Sequence, residues 1–334
     1  MNPEPGTINL DKDKPMCFRE KVISLSQINI DDDFFRITTE QQLDDLTRSI
    51  KHVGVLNLPY LLEKETGIYT VVSGFRRIEA CRRLNWSELE ARVFGPDAER
   101  LKCIKYAITD NACQRPLNVI EKSKCINMLY RFHKDIDSLA EALKNMGLSE
   151  HSAMLKKIKV VYDMSESLQN SILSNTISLA MALELNGLPM DDADGFISLF
   201  NSLRPSFNKQ REILIMVKEI AIREDISVMQ VLETPSLENI LTNKDLDINQ
   251  KTRNIRTYLK SRRYPAIASA EQSFQKHLKK LNTRKDMELI PPVNFEGASY
   301  TIKLTFKNIT DLKDIKSNFD AFVENPLLKN LISD

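Results

Sequence analysis

Val71-Val72-Ser73-Gly74-Phe75-Arg76-Arg77-Ile78-Glu79-Ala80 is the stretch whose reading decides the fold. Ile68 to Val72 is an apolar, β-branched run of strand length, and Arg76 to Leu84 has helical spacing, so Gly74 stands at a strand-to-helix junction. The first amides of a helix have no acceptor within it and are open to a ligand. Gly74 permits close approach to the backbone, and Arg76 and Arg77 add fixed charge with bidentate geometry. Together these features describe either an anion site suited to phosphate groups or a pair of surface charges at a helix start.

Working outward, Lys21 to Leu25 reads as a short strand, and Thr39-Glu40-Gln41-Gln42-Leu43 as a helix opening with Thr39 as its N-cap. Leu43, Leu46, Ile50 and Val53 follow helical spacing, and Gly54 ends the helix. Leu58 to Leu62 forms a further strand before the Gly67 turn, Trp86 is expected to anchor the core, and Leu89 to Phe94 gives another strand. From Asp97 onward the pattern is helical nearly throughout. Asp110-Asn111-Ala112-Cys113-Gln114-Arg115-Pro116-Leu117-Asn118-Val119-Ile120-Glu121 sets an amide, an arginine and carboxylates before a helix, with Asn118 as N-cap and Glu121 three residues on in the form of a capping box.

Three motifs in order, Gly54-Val55-Leu56-Asn57-Leu58-Pro59, Gly74-Phe75-Arg76-Arg77 and Asn111 to Glu121, carry a resemblance to the ParB family of plasmid and chromosome partition proteins. It covers about residues 21–190. The resemblance implies an α+β, ParB/sulfiredoxin-like first domain that binds CTP through Gly74, Phe75, Arg76, Arg77, Asn111 and Arg115, with Asp110 and Asn111 toward Mg²⁺. In that family CTP closes a dimer into a clamp that slides on DNA. The chain departs from the common pattern at Asp110 in place of Glu, at Pro116 in place of an acid, and at Leu58 where glutamine is frequent. Fewer oxygen ligands weaken a Mg²⁺ site, so slow CTP hydrolysis is the most that enzyme activity would amount to.

Ser138 to Met146, Gly147, and Ser149 to Val161 form a helix, a glycine turn and a second helix, either a generic helical hairpin or a helix-turn-helix, and the ParB resemblance implies the latter. Leu143 and Ala153 stand where a small and a β-branched residue usually pack, with large and small exchanged and volume conserved. A second helix in the major groove would offer Ser149, Glu150, His151 and Ser152 to base edges and Lys156, Lys157 and Lys159 to phosphates.

The 334 residues suggest a modular chain, and a hydrophobic fraction of 42% with 28% charged residues is ordinary for a globular protein. The net charge of +1 hides a bias, because residues 251–285 hold eleven Lys or Arg against the single acid Glu271. Such a segment is either a solvated linker or a phosphate-contacting surface. The opposite sign gathers at Asp31, Asp32, Asp33, Glu40, Asp44 and Asp45. The five cysteines show no CxxC spacing, which speaks against a zinc site or disulfide framework. No run approaches a membrane span or a secretory signal, so a cytoplasmic, nucleoid- or plasmid-associated protein is expected.

The expected organisation is a flexible arm over 1–20, a nucleotide-binding domain over 21–116, an all-α helix-turn-helix domain over 117–240, a basic linker over 241–290 and a small β-α dimerisation domain over 291–334. Pro291-Pro292 marks the last boundary, followed by a strand at Tyr300–Phe306 and a helix from Thr310 to about Leu331. The expected partners are a parS-like centromere site on double-stranded DNA, a ParA-type ATPase and a second copy of the chain. A ParB-derived transcription regulator is the alternative. A sulfiredoxin-type enzyme would need a cysteine where Phe75 stands, and a nuclease would need more carboxylates than Asp110 and Glu121.

Overall fold

The computed structural model describes residues 17–64, 67–281, 286–297 and 299–328. The expected arm falls largely on residues 1–16, outside the described residues, and Arg19 and Glu20 already belong to the first strand. The chain divides into two compact units, Met1–Gly187 and Leu188–Asp334.

The first unit opens with β1 (Arg19–Ser24), the short β2 (Ile28–Asn29) and α1 (Asp44–Val53). β3 (Tyr60–Glu63), β4 (Tyr69–Ser73), α2 (Phe75–Arg83) and β5 (Glu88–Phe94) follow. The five strands form one sheet in the order β1-β5-β3-β4-β2. β1 runs antiparallel to β5 and β3 antiparallel to β4, while the β3–β5 and β2–β4 pairs are parallel. Every residue of β4 is buried, as its run of apolar and β-branched residues demands of an interior strand. β4 therefore delivers Gly74 to the end of the sheet as a fixed point.

Six helices complete this unit, namely α3 (Arg100–Gln114), α4 (Val119–Tyr130), α5 (Ile136–Lys144), α6 (Ser152–Val160), α7 (Glu166–Leu173) and α8 (Leu179–Leu185). A continuous buried cluster runs from Ile23, Leu61, Val71 and Ile78 through Ile104 and Ile126 to Leu143, Leu155 and Ile158. Sheet and helices to α6 thus share one core, and the unit boundary after Gly187 lies inside the expected 117–240 segment.

Several local expectations are corrected. Thr39 caps no helix, since α1 begins at Asp44 behind Leu43 and has no side-chain cap. Thr39 instead gives its amide and hydroxyl to the Glu121 carboxylate. Trp86 is 37% exposed and anchors no core. The second helix of the pair around Gly147 starts at Ser152, with Ser149 in the turn and His151 as N-cap. Ala153 is exposed on α6 while Leu143 is fully buried, so the two do not share a packing site. The capping box at Asn118 and Glu121 forms as expected.

The second unit contains α9 (Met190–Leu203), α10 (Phe207–Glu224), α11 (Val228–Leu232), α12 (Pro235–Thr242), α13 (Ile248–Arg263) and α14 (Pro265–Leu281). β6 (Met287–Ile290), β7 (Thr301–Leu304) and α15 (Ile309–Val323) follow. The basic segment is therefore two helices and not an extended linker. Arg256 pairs with Glu212, Arg263 with Glu219 and Arg262 with Glu224, all across α10 and α13. Arg253 and Lys260 stay exposed, and Arg284 and Lys285 lie outside the described residues. Pro291-Pro292 sits within the connection of the antiparallel β6–β7 hairpin and not at a boundary. Phe274 and Leu281 of α14 join Met287, Leu289, Phe322 and Leu328 in one small core, so α14 belongs with the tail.

Candidate functional site

Gly74 has φ +97°, and a Cβ there would stand 2.8 Å from Pro59 Cβ and 3.0 Å from Pro59 Cα. Only glycine satisfies both the backbone conformation and the space. It is the N-cap of α2 and contributes no side chain to the cap, which leaves the helix N-terminus open to an external acceptor. Pro59 lies just before β3, so the Gly54–Pro59 and Gly74–Arg77 motifs, separate in sequence, meet here by contact.

A cleft of about 270 Å³ opens at this junction, and Gly74, Phe75, Arg76, Arg77, Asn111 and Arg115 all line it. All six residues expected to hold a nucleotide thus share one cavity. Each of the three arginines already holds a carboxylate. Arg77 Nη2 donates to Asp110 Oδ2 at 3.0 Å and its Nη1 to the Asn57 carbonyl at 2.6 Å. Arg115 grips Glu121 with both Nη groups at 2.7 Å. Arg76 donates from Nη1 to Glu40 Oε2 at 2.8 Å and from Nη2 to the Gln42 carbonyl at 2.6 Å. Its Nε is buried without a hydrogen-bond partner among the described residues. A buried donor left unmade is costly, and a site that keeps one is suited to an acceptor brought by a ligand.

Glu121 is fully buried and satisfied from four sides, by Arg115, the Thr39 amide and hydroxyl, and the Asn118 amide. Burial works to raise its carboxyl, but the Arg115 guanidinium and the two backbone amides prevail and hold it below the ordinary range. Hydrogen bonding to Glu121 in turn raises the Arg115 guanidinium, and Glu40 adds a smaller charge contribution. Glu121 was legible as a capping residue and a carboxylate but not as the partner of Arg115, and Glu40 as one of several acids near the start of the chain. No sequence signal ties Glu40 to Arg76 across 36 positions.

Asp110 and Asn111, expected toward Mg²⁺, both have hydrogen-bond partners within the protein. The Asp110 carboxylate takes the Ser73 hydroxyl and Arg77 on Oδ2 and the Gln114 amide on Oδ1, while Asn111 Nδ2 donates to the Ala107 carbonyl within α3. Among the described residues no group of three His, Cys, Asp or Glu side chains is placed to hold a metal. Cys81 is fully buried and its thiol is pushed up to about 11 by that burial, so it is no thiolate nucleophile.

On α6 the exposed positions Ala153, Lys156, Lys157 and Val160 make one stripe, and Ser149 and His151 are exposed just before it. Ser152 is half-buried and bonds Asp137, Glu150 pairs with Lys122, and Lys159 lies over the Tyr130 ring at 4.1 Å. Ser149, His151, Lys156 and Lys157 therefore remain available, whereas Ser152, Glu150 and Lys159 are engaged. No helix among the described residues is long and apolar enough to cross a membrane.

Comparison with known proteins bears on the same region. The ParB N-terminal domain family matches residues 19–112. A probable chromosome-partitioning protein ParB of Helicobacter pylori is 27% identical over 154 residues, 46% of this chain and 50% of that protein. A nucleoid occlusion protein of Listeria innocua is 24% identical over 181 residues, 54% of this chain and 61% of that one. The chain thus spans about half to three-fifths of these relatives. A truncated ParB of Caulobacter crescentus complexed with CTP-γ-S is 17% identical with a TM-score of 0.26, covering 55% of this chain and 98% of that one. The same organism's ParB on the centromeric parS site gives 13% and 0.33, covering 64% and 96%. Scores this low transfer no geometry from those complexes. Residues 19–112 match the ParB N-terminal domain family, and about half of the chain is similar to ParB and nucleoid occlusion proteins.

Proposed function

We propose that this chain is a centromere-binding partition protein, a dimeric DNA clamp governed by CTP and working with a ParA-type ATPase. The observation that carries the reading is the convergence of Gly74, the α2 N-terminus and three arginines on one cleft, with a buried Arg76 Nε that no described residue satisfies. Such a site suits the phosphates of a nucleotide, and the choice of CTP follows from the ParB resemblance. Asp110 is already committed, so Mg²⁺ would come with the phosphates, whose charge it would offset. Asn111 completes the wall on the α3 side.

The DNA-reading role falls to α5 and α6. Lys156 and Lys157 are placed for phosphates, and Ser149 and His151 for base edges. Ala153, small and exposed, lets α6 approach a groove closely. The tail over 287–328 supplies an apolar groove at Leu304, Ile309, Leu312 and Phe319 that a second copy would cover.

Calorimetry with CTP, ATP and GTP on the wild type and on Arg76→Ala and Arg77→Ala, with duplexes selected from a random pool, tests the reading. Selective CTP binding that falls about 10- to 100-fold in either variant supports it, since a hydrogen bond to a charged group contributes about 1.5–3 kcal/mol. No binding of any nucleotide leaves a plain DNA binder with a structural Gly74–Arg77 motif. The similarity to nucleoid occlusion proteins favours a second reading, a role in nucleoid occlusion in place of partition, which failure to stimulate or bind a ParA-type ATPase would select.

A further inference from the structure

We propose that Glu40 is a built-in competitor for the anion of this cleft, so that a nucleotide phosphate gains Arg76 by displacing the Glu40 carboxylate. The inference rests on the nucleotide reading above and concerns a residue that no motif of the sequence singles out.

The three arginine–carboxylate pairs differ in how replaceable their acids are. Asp110 is fixed by Ser73 and Gln114 besides Arg77, and Glu121 by Thr39 and Asn118 besides Arg115. Glu40 has a single carboxylate contact among the described residues, from Arg76 Nη1, and its side chain is 51% exposed, against 21% for Asp110 and 1% for Glu121. Its release takes no other hydrogen bond with it.

The Arg76 guanidinium is also incompletely used. A carboxylate on Nη1 and the Gln42 carbonyl on Nη2 leave Nε buried and unmade. Glu40 occupies Nη1 alone, so its release frees that end of the guanidinium for a phosphate oxygen while the Gln42 carbonyl keeps Nη2 in place. Glu40 also follows Thr39, whose amide and hydroxyl are held by Glu121. Its backbone is therefore anchored next to the arginine, and displacement needs only rotation of the side chain. The result is a tethered acid at a cationic site, which a free ligand must outcompete.

The test is calorimetry on the full chain with CTP, and with tripolyphosphate as a probe lacking a base. Glu40→Gln is expected to bind both about 2- to 5-fold more tightly than wild type, the scale of an exposed ion pair, with the gain shrinking as salt rises. Glu40→Asp, which retains a shorter acid, should fall between. The gain should vanish in an Arg76→Ala background, which a merely structural role for Glu40 would not produce. Unchanged thermal unfolding of Glu40→Gln establishes that the fold is intact. Wild-type binding with equal or weaker binding by Glu40→Gln overturns the proposal and leaves the nucleotide site standing. Absence of binding in both proteins overturns the nucleotide reading and this inference with it.

Discussion

The cleft and the α10–α13 surface are built from the same two side chains, arginine and acid, and differ in what they leave over. Between α10 and α13 the pairs Glu212–Arg256, Glu219–Arg263 and Glu224–Arg262 lie on the outside of a helix pair, and Arg223 donates to the Arg262 and Arg263 carbonyls. Hydrogen bonds from Arg263 and Arg262 hold the Glu219 and Glu224 carboxyls below their ordinary range. At the cleft the three arginines line an open volume, and among the described residues Arg76 retains a buried Nε without an acceptor. Charge content alone does not mark a binding site. An unsatisfied donor beside an accessible space does.

The comparison can be broken first at its most constrained point. Gly74→Ala should destabilise the first unit most, by about 1–2 kcal/mol for the left-handed backbone and about 1–3 kcal/mol for the overlap with Pro59. Thermal unfolding measures this, and a loss under 1 kcal/mol would show that the β3 approach relaxes freely. Next, Glu121→Ala strips the most buried acid of the cleft from Arg115. The expected cost lies at the lower end of the roughly 3–5 kcal/mol for breaking a buried pair, because Arg115 remains partly exposed to water.

The same residue predicts a pH limb. Its folded carboxyl is lowered, so the stability it contributes is fully present above the ordinary value of 4.5 and is lost as pH falls through the lowered value. Acid titration of stability should therefore be shallower in Glu121→Gln than in wild type, and identical slopes would remove Glu121 from the account. The smallest effect belongs to the helix surface. A double-mutant cycle on Glu219 and Arg263 should give about 0.2–1 kcal/mol, diminishing in high salt. A coupling as large as that of Arg115 with Glu121 would erase the distinction between the two regions.

Much of the first unit could be read from its residues, and the reasons are local. The buried run of β4, the glycine at the junction and the capping box at Asn118 each act over a few positions, and each appears where periodicity and capping chemistry put it. The six cleft residues were grouped because their motifs stand in a recognisable order. What escaped depends on contacts distant in sequence. Thr39 has the composition of an N-cap, yet Glu121, 82 positions on, claims its amide. Arg256, Arg262 and Arg263 resemble linker charges until α10 brings glutamates to them. Pro291-Pro292 looks like a boundary because β6, four residues long, gives too short an alternation to announce a hairpin before it.

The strand order has one further consequence, for self-association. β1 and β2 lie at the two edges of the five-stranded sheet. β1 begins Arg19-Glu20-Lys21, and β2 is two residues long. Charged or very short edge strands are poor templates for a neighbour's backbone. Both edges thus discourage edge-to-edge pairing between copies of this domain.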